Sequence, residues 1–223
     1  MSGELNPWWR AGLPIVTPIV RLLFRMRAQG IEHVPARGPA ILAFNHVSAL
    51  DGPVVAIETA RRLGRQSRFL VAAEQFSKPF IGWVLRRFAQ IPVRRGQGDA
   101  DALEEAVTTI RDGALAAIAP EGRVNDDDAA GLQRIRTGLA RIALPTGAPI
   151  VPVGVWGTQR RYPRSGFTVR RPWRPRLGLA FGPPILPDGD AADPNDVEAL
   201  TQRVRERLEE QVALARVLAG EGS

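Results

Sequence analysis

Five short apolar runs recur through the first 155 residues of the chain, and each is continuous rather than alternating. They are Ala40–Phe44 (AILAF), Arg68–Ala72 (RFLVA), Gln90–Val93 (QIPV), Ala114–Ala119 (ALAAIA) and Pro149–Val155 (PIVPVGV). A strand with one face in water alternates apolar and polar residues, whereas one covered on both faces has no polar side to show. The runs therefore predict strands buried inside a largely parallel sheet. Between them lie helical spacings. Leu103, Val107 and Ile110 fall on one face of Asp99–Asp112, with Gly113 as a stop, and Gly52–Leu63 and Thr137–Pro145 read as shorter helices. Strands alternating with helices predict an α/β sandwich with a central, largely parallel sheet flanked by helices. At 223 residues, 44% of them hydrophobic, the chain suits one core and one domain. Downstream, FTVRR and RLGLAFG read as strands near a sheet edge, and Pro187–Pro194 as a loop. Val197, Leu200, Val204, Leu208 and Val212 then form one stripe of a closing amphipathic helix.

The N-terminus departs from this pattern. Trp8 and Trp9 precede an apolar run from Leu13 to Phe24, followed by Arg25 and Arg27, with Arg21 inside it. Paired Trp beside apolar and Arg residues is the composition of a segment lying in a membrane interface. Residues 1–30 are accordingly expected to form an interfacial helical segment, kinked at Pro14 and Pro18, ahead of an α/β domain over 31–223. No stretch of 18 apolar residues exists, so no bilayer-spanning helix is predicted; the other reading of the N-terminus is a helix packed on the domain's own core.

Charge is unevenly placed. Residues 1–98 carry 14 basic and 5 acidic side chains, and residues 99–223 carry 16 and 18. All the basic residues but Lys78 are Arg, whose planar fork suits phosphate. An anionic partner follows: a phospholipid surface, a phosphorylated small molecule or nucleic acid. The absence of cysteine removes disulfides, thiol nucleophiles and thiolate metal sites, and two histidines with scattered carboxylates do not assemble a metal site. The triplet Asp126–Asp128 reads as a solvated loop, and neither a P-loop nor a G-x-S-x-G elbow occurs.

Three groups of reactive side chains directly follow predicted strands. His46 follows Ala40–Phe44, Arg94 and Arg95 follow Gln90–Val93, and Glu121, Gly122 and Arg123 follow Ala114–Ala119. In an open parallel sheet, ligands bind outside the carboxyl ends of the strands, so the three groups are predicted to share one edge. His46 and Asp51 lie five apart, which on a straight helix puts them on different faces but across a strand-to-helix turn lets them meet. A carboxylate on one ring nitrogen fixes the tautomer and leaves the other free to take a proton from a hydroxyl. The same spacing also serves a plain turn in which Asp51 caps a helix.

Four short motifs in one order carry a family resemblance. NHVSALD at Asn45–Asp51 resembles the N-H-x-x-x-x-D motif of the 1-acyl-glycerol-3-phosphate acyltransferase (PlsC-like) family. PVRR at Pro92–Arg95, PEGR at Pro120–Arg123 and PIVPV at Pro149–Val153 are similar to its second, third and fourth, all within residues 31–157. FGPPI at Phe181–Ile185 is similar to its closing strand. The resemblance implies transfer of a fatty acyl group from a thioester, acyl-CoA or acyl carrier protein, to a glycerophosphate hydroxyl, without a cofactor or metal. It implies His46 as base, Asp51 as its orienter, and Arg95 on the acceptor phosphate. Glu121, Gly122 and Arg123 would shape the acceptor site, and Asn45 and Arg94 complete the implied substrate-binding set. It also implies peripheral or monotopic attachment to the cytoplasmic face of the cell membrane, with no nucleic acid as a partner on this reading. The third motif departs from the family's usual PEGTR, reading PEGRV, so either Arg123 or Val124 fills the Arg position; Arg136 stands where a basic residue is common. His33 reads as structural. Two other readings stay open. One keeps the chemistry on glycerol-3-phosphate or another lipid. The other is a non-catalytic module for anionic membranes or nucleic acid, built on RRYPRSGFTVRRPWRPR at 160–176.

Overall fold

In a computed structural model, the protein is described over residues 5–93, 100–125, 132–163, 165–169 and 172–221, without the side chains of 100–102. Arg94 and Arg95 lie outside the described residues, as does Asp126–Asp128. Among the described residues, seven strands are β1 (Arg25–Gln29), β2 (Ala40–Phe44), β3 (Ser67–Ala72), β4 (Ile91–Val93), β5 (Leu115–Ile118), β6 (Ile150–Trp156) and β7 (Arg176–Phe181). The α-helices described are α1 (Pro7–Leu23), α2 (Asp51–Leu63), α3 (Pro79–Arg87), α4 (Ala100–Arg111), α5 (Gly138–Thr146) and α6 (Pro194–Leu218). One sheet holds all the strands in the order β1-β7-β6-β2-β5-β3-β4. The five from β6 to β4 are parallel, and β7 runs antiparallel to β6 with β1 parallel to β7.

The apolar runs do what continuity demands. Every residue of β2, β5 and β6 is buried. Alternate residues serve opposite faces: Ala40, Leu42 and Phe44 join Val54 and Val55 of α2, while Ile41 and Ala43 join α4, α5 and α6. Ile41 is fully buried, so Ile41→Ala would cost about 2–5 kcal/mol. The last helix lies directly on the sheet because Gly154 leaves room; a Cβ there would come within 2.0 Å of the Gln211 carbonyl oxygen.

Two expectations need correction, the helical reading of residues 25–29 and the strand reading of FTVRR. Residues 25–29, assigned to the N-terminal helical segment, form edge strand β1, whose alternate side chains are exposed. The helix before it runs on through Pro14 and Pro18. Four apart, both prolines sit on its outer face, so the carbonyls they free point toward solvent. FTVRR forms no strand over its described part: the Thr168 N–H bonds the Arg161 carbonyl at 2.8 Å, and Phe167 and Val169 are exposed. Lastly, α3 was not foreseen, although Pro79 in its first turn marks its start.

Helices α1 and α3 are fastened together. Asn6 caps α1, accepting from the Trp9 N–H at 3.0 Å, while its side-chain amide donates to the Arg87 carbonyl at the end of α3 at 3.0 Å. Trp9 turns inward onto Ala56 and Ala60 of α2 and meets Phe88 edge-to-face at 5.0 Å. Trp8 turns outward and meets Trp83 edge-to-face at 5.3 Å. Trp8, Ile15, Ile19 and Leu22 form an exposed stripe on α1, continued on α3 by Phe80, Ile81 and Trp83. No helix among the described residues is long and apolar enough to cross a membrane.

Candidate active site

Because β2, β5 and β6 are parallel neighbours, the residues just past their carboxyl ends gather on one side of the sheet. His46, Glu121 and Thr158 occupy that side. Asn45 locks β2 to β6 first. Its amide donates to the Val155 carbonyl at 2.9 Å and accepts from the Val155 N–H at 2.7 Å. Asn45 is buried and spends both ends of its amide this way, so it positions the turn rather than the substrate as expected. His46 then emerges partly exposed, its side chain 23% accessible.

The chain turns over residues 45–50 and starts α2 at Asp51, which brings the Asp51 carboxylate back beneath the imidazole. His46 Nδ1 lies 3.1 Å from Asp51 Oδ2. The same oxygen accepts from the Ser48 N–H at 2.7 Å, and the Thr158 hydroxyl donates to Oδ1. Ser48 is held in turn, donating from its hydroxyl to the Tyr162 carbonyl at 2.8 Å. The carboxyl is wholly buried, and desolvation pushes its pKa up; His46, Thr158 and Ser48 oppose that shift. The start of α2 adds the positive end of the helix dipole on the side of the ionised form. Among the described residues His46 Nε2 has no hydrogen-bond partner, and it is the nitrogen left for a ligand.

Glu121 does not face a substrate with free oxygens. Oε1 accepts the His46 backbone N–H at 2.7 Å, and Oε2 accepts the Gln133 N–H at 3.0 Å. The Asn125 N–H bonds the His46 carbonyl at 2.6 Å. The loop after β5 thus grips His46 by both backbone groups, which fixes the ring more firmly than its side-chain contact alone. Burial raises the Glu121 carboxyl above its ordinary value, with the two N–H donors acting the other way. Gly122 has φ +73°, a left-handed conformation suited to glycine, and a Cβ there would lie 3.2 Å from Arg136 Nε. Arg123 is exposed, with Nε donating to Gln133 Oε1 at 3.1 Å. The PEGRV turn therefore presents Arg123 and Arg136 together. His33 bonds the Phe181 carbonyl at 2.8 Å, a structural contact.

Sequence reasoning missed Thr158, Asn125 and Gln133. Thr158 was findable, since it follows a buried strand at the same edge; the other two depend on which way a loop folds back. No group of three or more His, Cys, Asp or Glu able to hold a metal occurs among the described residues.

The sequence and the fold have counterparts. A protein-family model described as Acyltransferase matches residues 25–156. An uncharacterized protein of Mycobacterium tuberculosis is 30% identical over 92% of this chain and 66% of its own length. A chloroplastic 1-acyl-sn-glycerol-3-phosphate acyltransferase of Brassica napus is 29% identical over 63% of this chain and 40% of its own. The chain thus spans just under two thirds of the mycobacterial relative. The crystal structure of the 1-acyl-sn-glycerophosphate acyltransferase PlsC from Thermotoga maritima superposes with a TM-score of 0.71 at 23% identity, over 92% of this chain and 78% of that one. That likeness establishes the shared fold, and with the family match over more than half of its length, the chain belongs to the acyltransferase family.

Proposed function

We propose that the protein moves a fatty acyl group from an acyl thioester to a hydroxyl of 1-acyl-glycerol-3-phosphate, with His46 as general base. The observation that carries this is the His46–Asp51 contact of 3.1 Å with Nε2 left open at the mouth of the sheet. Nε2 takes the proton of the acceptor hydroxyl as its oxygen forms a bond to the thioester carbonyl carbon. The tetrahedral intermediate then expels the thiolate, which recovers the proton from the imidazolium. Asp51 holds the Nδ1–H throughout and offsets the transient positive charge. A thioester is already activated, so no acyl-enzyme is needed, in keeping with a chain that has no cysteine.

The acceptor phosphate falls to arginines. Arg123 and Arg136 flank the turn that anchors His46, and Arg95 and Arg94 are the further candidates from the sequence. The donor is acyl-CoA or acyl carrier protein, and the working place is the cytoplasmic face of a membrane. The exposed stripe of Ile15, Ile19 and Leu22 on α1 supports work at a membrane surface, since contiguous exposed apolar patches mark interaction sites.

The test is thiol release from acyl-CoA and from acyl carrier protein across acceptors with and without phosphate. Release that depends on 1-acyl-glycerol-3-phosphate and disappears with the dephosphorylated monoacylglycerol is expected. Equal release with the monoacylglycerol would remove the phosphate from the reading, and release with glycerol-3-phosphate alone would change the acceptor.

A further inference from the structure

Beside edge strand β1, three strands along the sheet from β2 and lined by none of His46, Asp51, Glu121 or Thr158, lies an open groove of about 540 Å³. Arg21 near the end of α1, Arg25 and Arg27 of β1, and Arg176 at the start of β7 line it. Arg174 and the last-turn arginines of α2, Arg61 and Arg62, complete a lining of seven arginines against one acid, Glu58. The chain as a whole has 30 basic residues to 23 acidic, so its Arg-rich composition does not account for seven to one.

Some of this charge is already engaged. Glu58 pairs with Arg61 at 2.7 Å and lies 3.9 Å from Arg62. Arg174 donates to the Arg21 and Phe24 carbonyls, which closes the end of α1. Arg21, Arg25, Arg27 and Arg176 are all exposed, and no carboxylate among the described residues pairs with any of them. Four like charges around one concavity repel each other unless an anion enters, and guanidinium forks on several sides match phosphate oxygens best.

The surroundings select the kind of phosphate. Arg21 is followed by Leu22, which is 59% exposed, and the apolar stripe runs from there through Ile19 and Ile15 along α1. A soluble phosphate would use the arginines and leave the stripe bare. A phospholipid uses both, with its phosphate in the groove and its acyl chains along the helix. We propose that this groove is a binding site for the phosphate of an anionic phospholipid, separate from the acceptor site and holding α1 at the bilayer surface. The proposal rests on the reading that the protein works at a membrane.

Flotation with vesicles of phosphatidylcholine, alone or mixed with phosphatidylglycerol, tests it. The whole chain should bind the mixed vesicles more tightly. R25Q/R27Q/R176Q should lose more than about tenfold of that added affinity, since each basic contact with an anionic surface contributes measurably. It should keep the phosphatidylcholine baseline, and R25K/R27K/R176K should recover part of the loss. Thermal unfolding of the Gln variant should match or exceed that of the native chain, because repulsion is relieved. Should the triple variant not fold, R27Q alone carries the test at lower amplitude. Equal binding of mixed vesicles by native and Gln chains would overturn the groove assignment while leaving the membrane reading intact. Native chain that floats with neither vesicle would remove the membrane reading and the groove assignment together. Stabilisation by inorganic phosphate that the Gln variant loses, with flotation unchanged, would make the groove a soluble-phosphate site and overturn the lipid assignment.

Discussion

Two regions of this molecule break the ordinary inside-out rule in opposite directions. At the carboxyl ends of β2, β5 and β6, Asn45, Asp51, Glu121 and Thr158 are buried polar groups. Across α1 and α3, Trp8, Ile15, Ile19, Leu22, Phe80 and Trp83 are exposed apolar ones. Each departure costs free energy in a protein that only folds, and buried polar groups and exposed apolar patches are the informative exceptions. The buried side is fully hydrogen-bonded around one ring, as a site needing fixed geometry must be. The exposed side is apolar and flanked by Arg10, Arg21 and Arg87 with no acid in α1 or α3, as a surface meeting lipid must be. Changes on the first should alter chemistry without altering attachment, and changes on the second the reverse.

The sharpest break is His46→Ala. Acyl transfer should fall by about a thousandfold, within the usual range for a lost general base, while thermal unfolding and vesicle flotation stay unchanged. Retained activity would end the base assignment. Thr158→Val comes next. It removes the hydroxyl that donates to Asp51 Oδ1 and leaves a buried oxygen unpaired, costing about 1–3 kcal/mol. One of the interactions that lower the Asp51 pKa is lost while desolvation persists, so that pKa rises further. The orienter works ionised, hence the acid limb of the rate profile should move to higher pH, and Thr158→Ser should restore it. A fall in rate with the limb unmoved would make Thr158 merely structural.

These residues show how much the sequence could say. Strands covered on both faces leave an apolar signature that survives without a structure, so β2, β5 and β6 and the edge holding His46 and Glu121 were legible. Direction was not. Glu121 stands at the foreseen edge, yet its oxygens turn back to the His46 and Gln133 backbones, and nothing in PEGR signals that. Asn45 looked like a ligand and is a clamp on Val155. The seven-arginine groove escaped because its members come from residues 21 to 176, joined only when β1 pairs with β7.

On the apolar side, Phe80→Ser with Trp83→Ser is the informative change, because it alters no residue of α1. Phe80 is 77% exposed and stacks on Trp83 with ring centroids 6.4 Å apart, while Trp83 also meets Trp8 edge-to-face at 5.3 Å, so thermal unfolding is measured beside flotation. Removing two aromatic anchors should weaken flotation with neutral vesicles by more than about tenfold. Unchanged flotation would confine attachment to α1 and break the pairing of the two helices as one surface.

The smallest effect tests the buried side by pH. Burial raises the Glu121 carboxyl above its unfolded value, so over the window between the two values the folded chain holds a proton that the unfolded chain has released. Stability from this group is therefore fully present below the unfolded value and lost as pH rises through the folded one. Glu121→Gln cannot titrate, and its single oxygen serves only one of the two N–H donors at His46 and Gln133. Native protein and variant should thus lie closest in stability at the acid end of the comparison as far as charge is concerned. From there the native chain should lose stability relative to the variant as pH climbs from about 4.3 toward neutrality, read as unfolding temperature at each pH. A native chain that gains on the variant over this range would mean the two N–H donors outweigh burial, and Glu121 would then be a stabilising carboxylate rather than one held against its desolvation to fix His46.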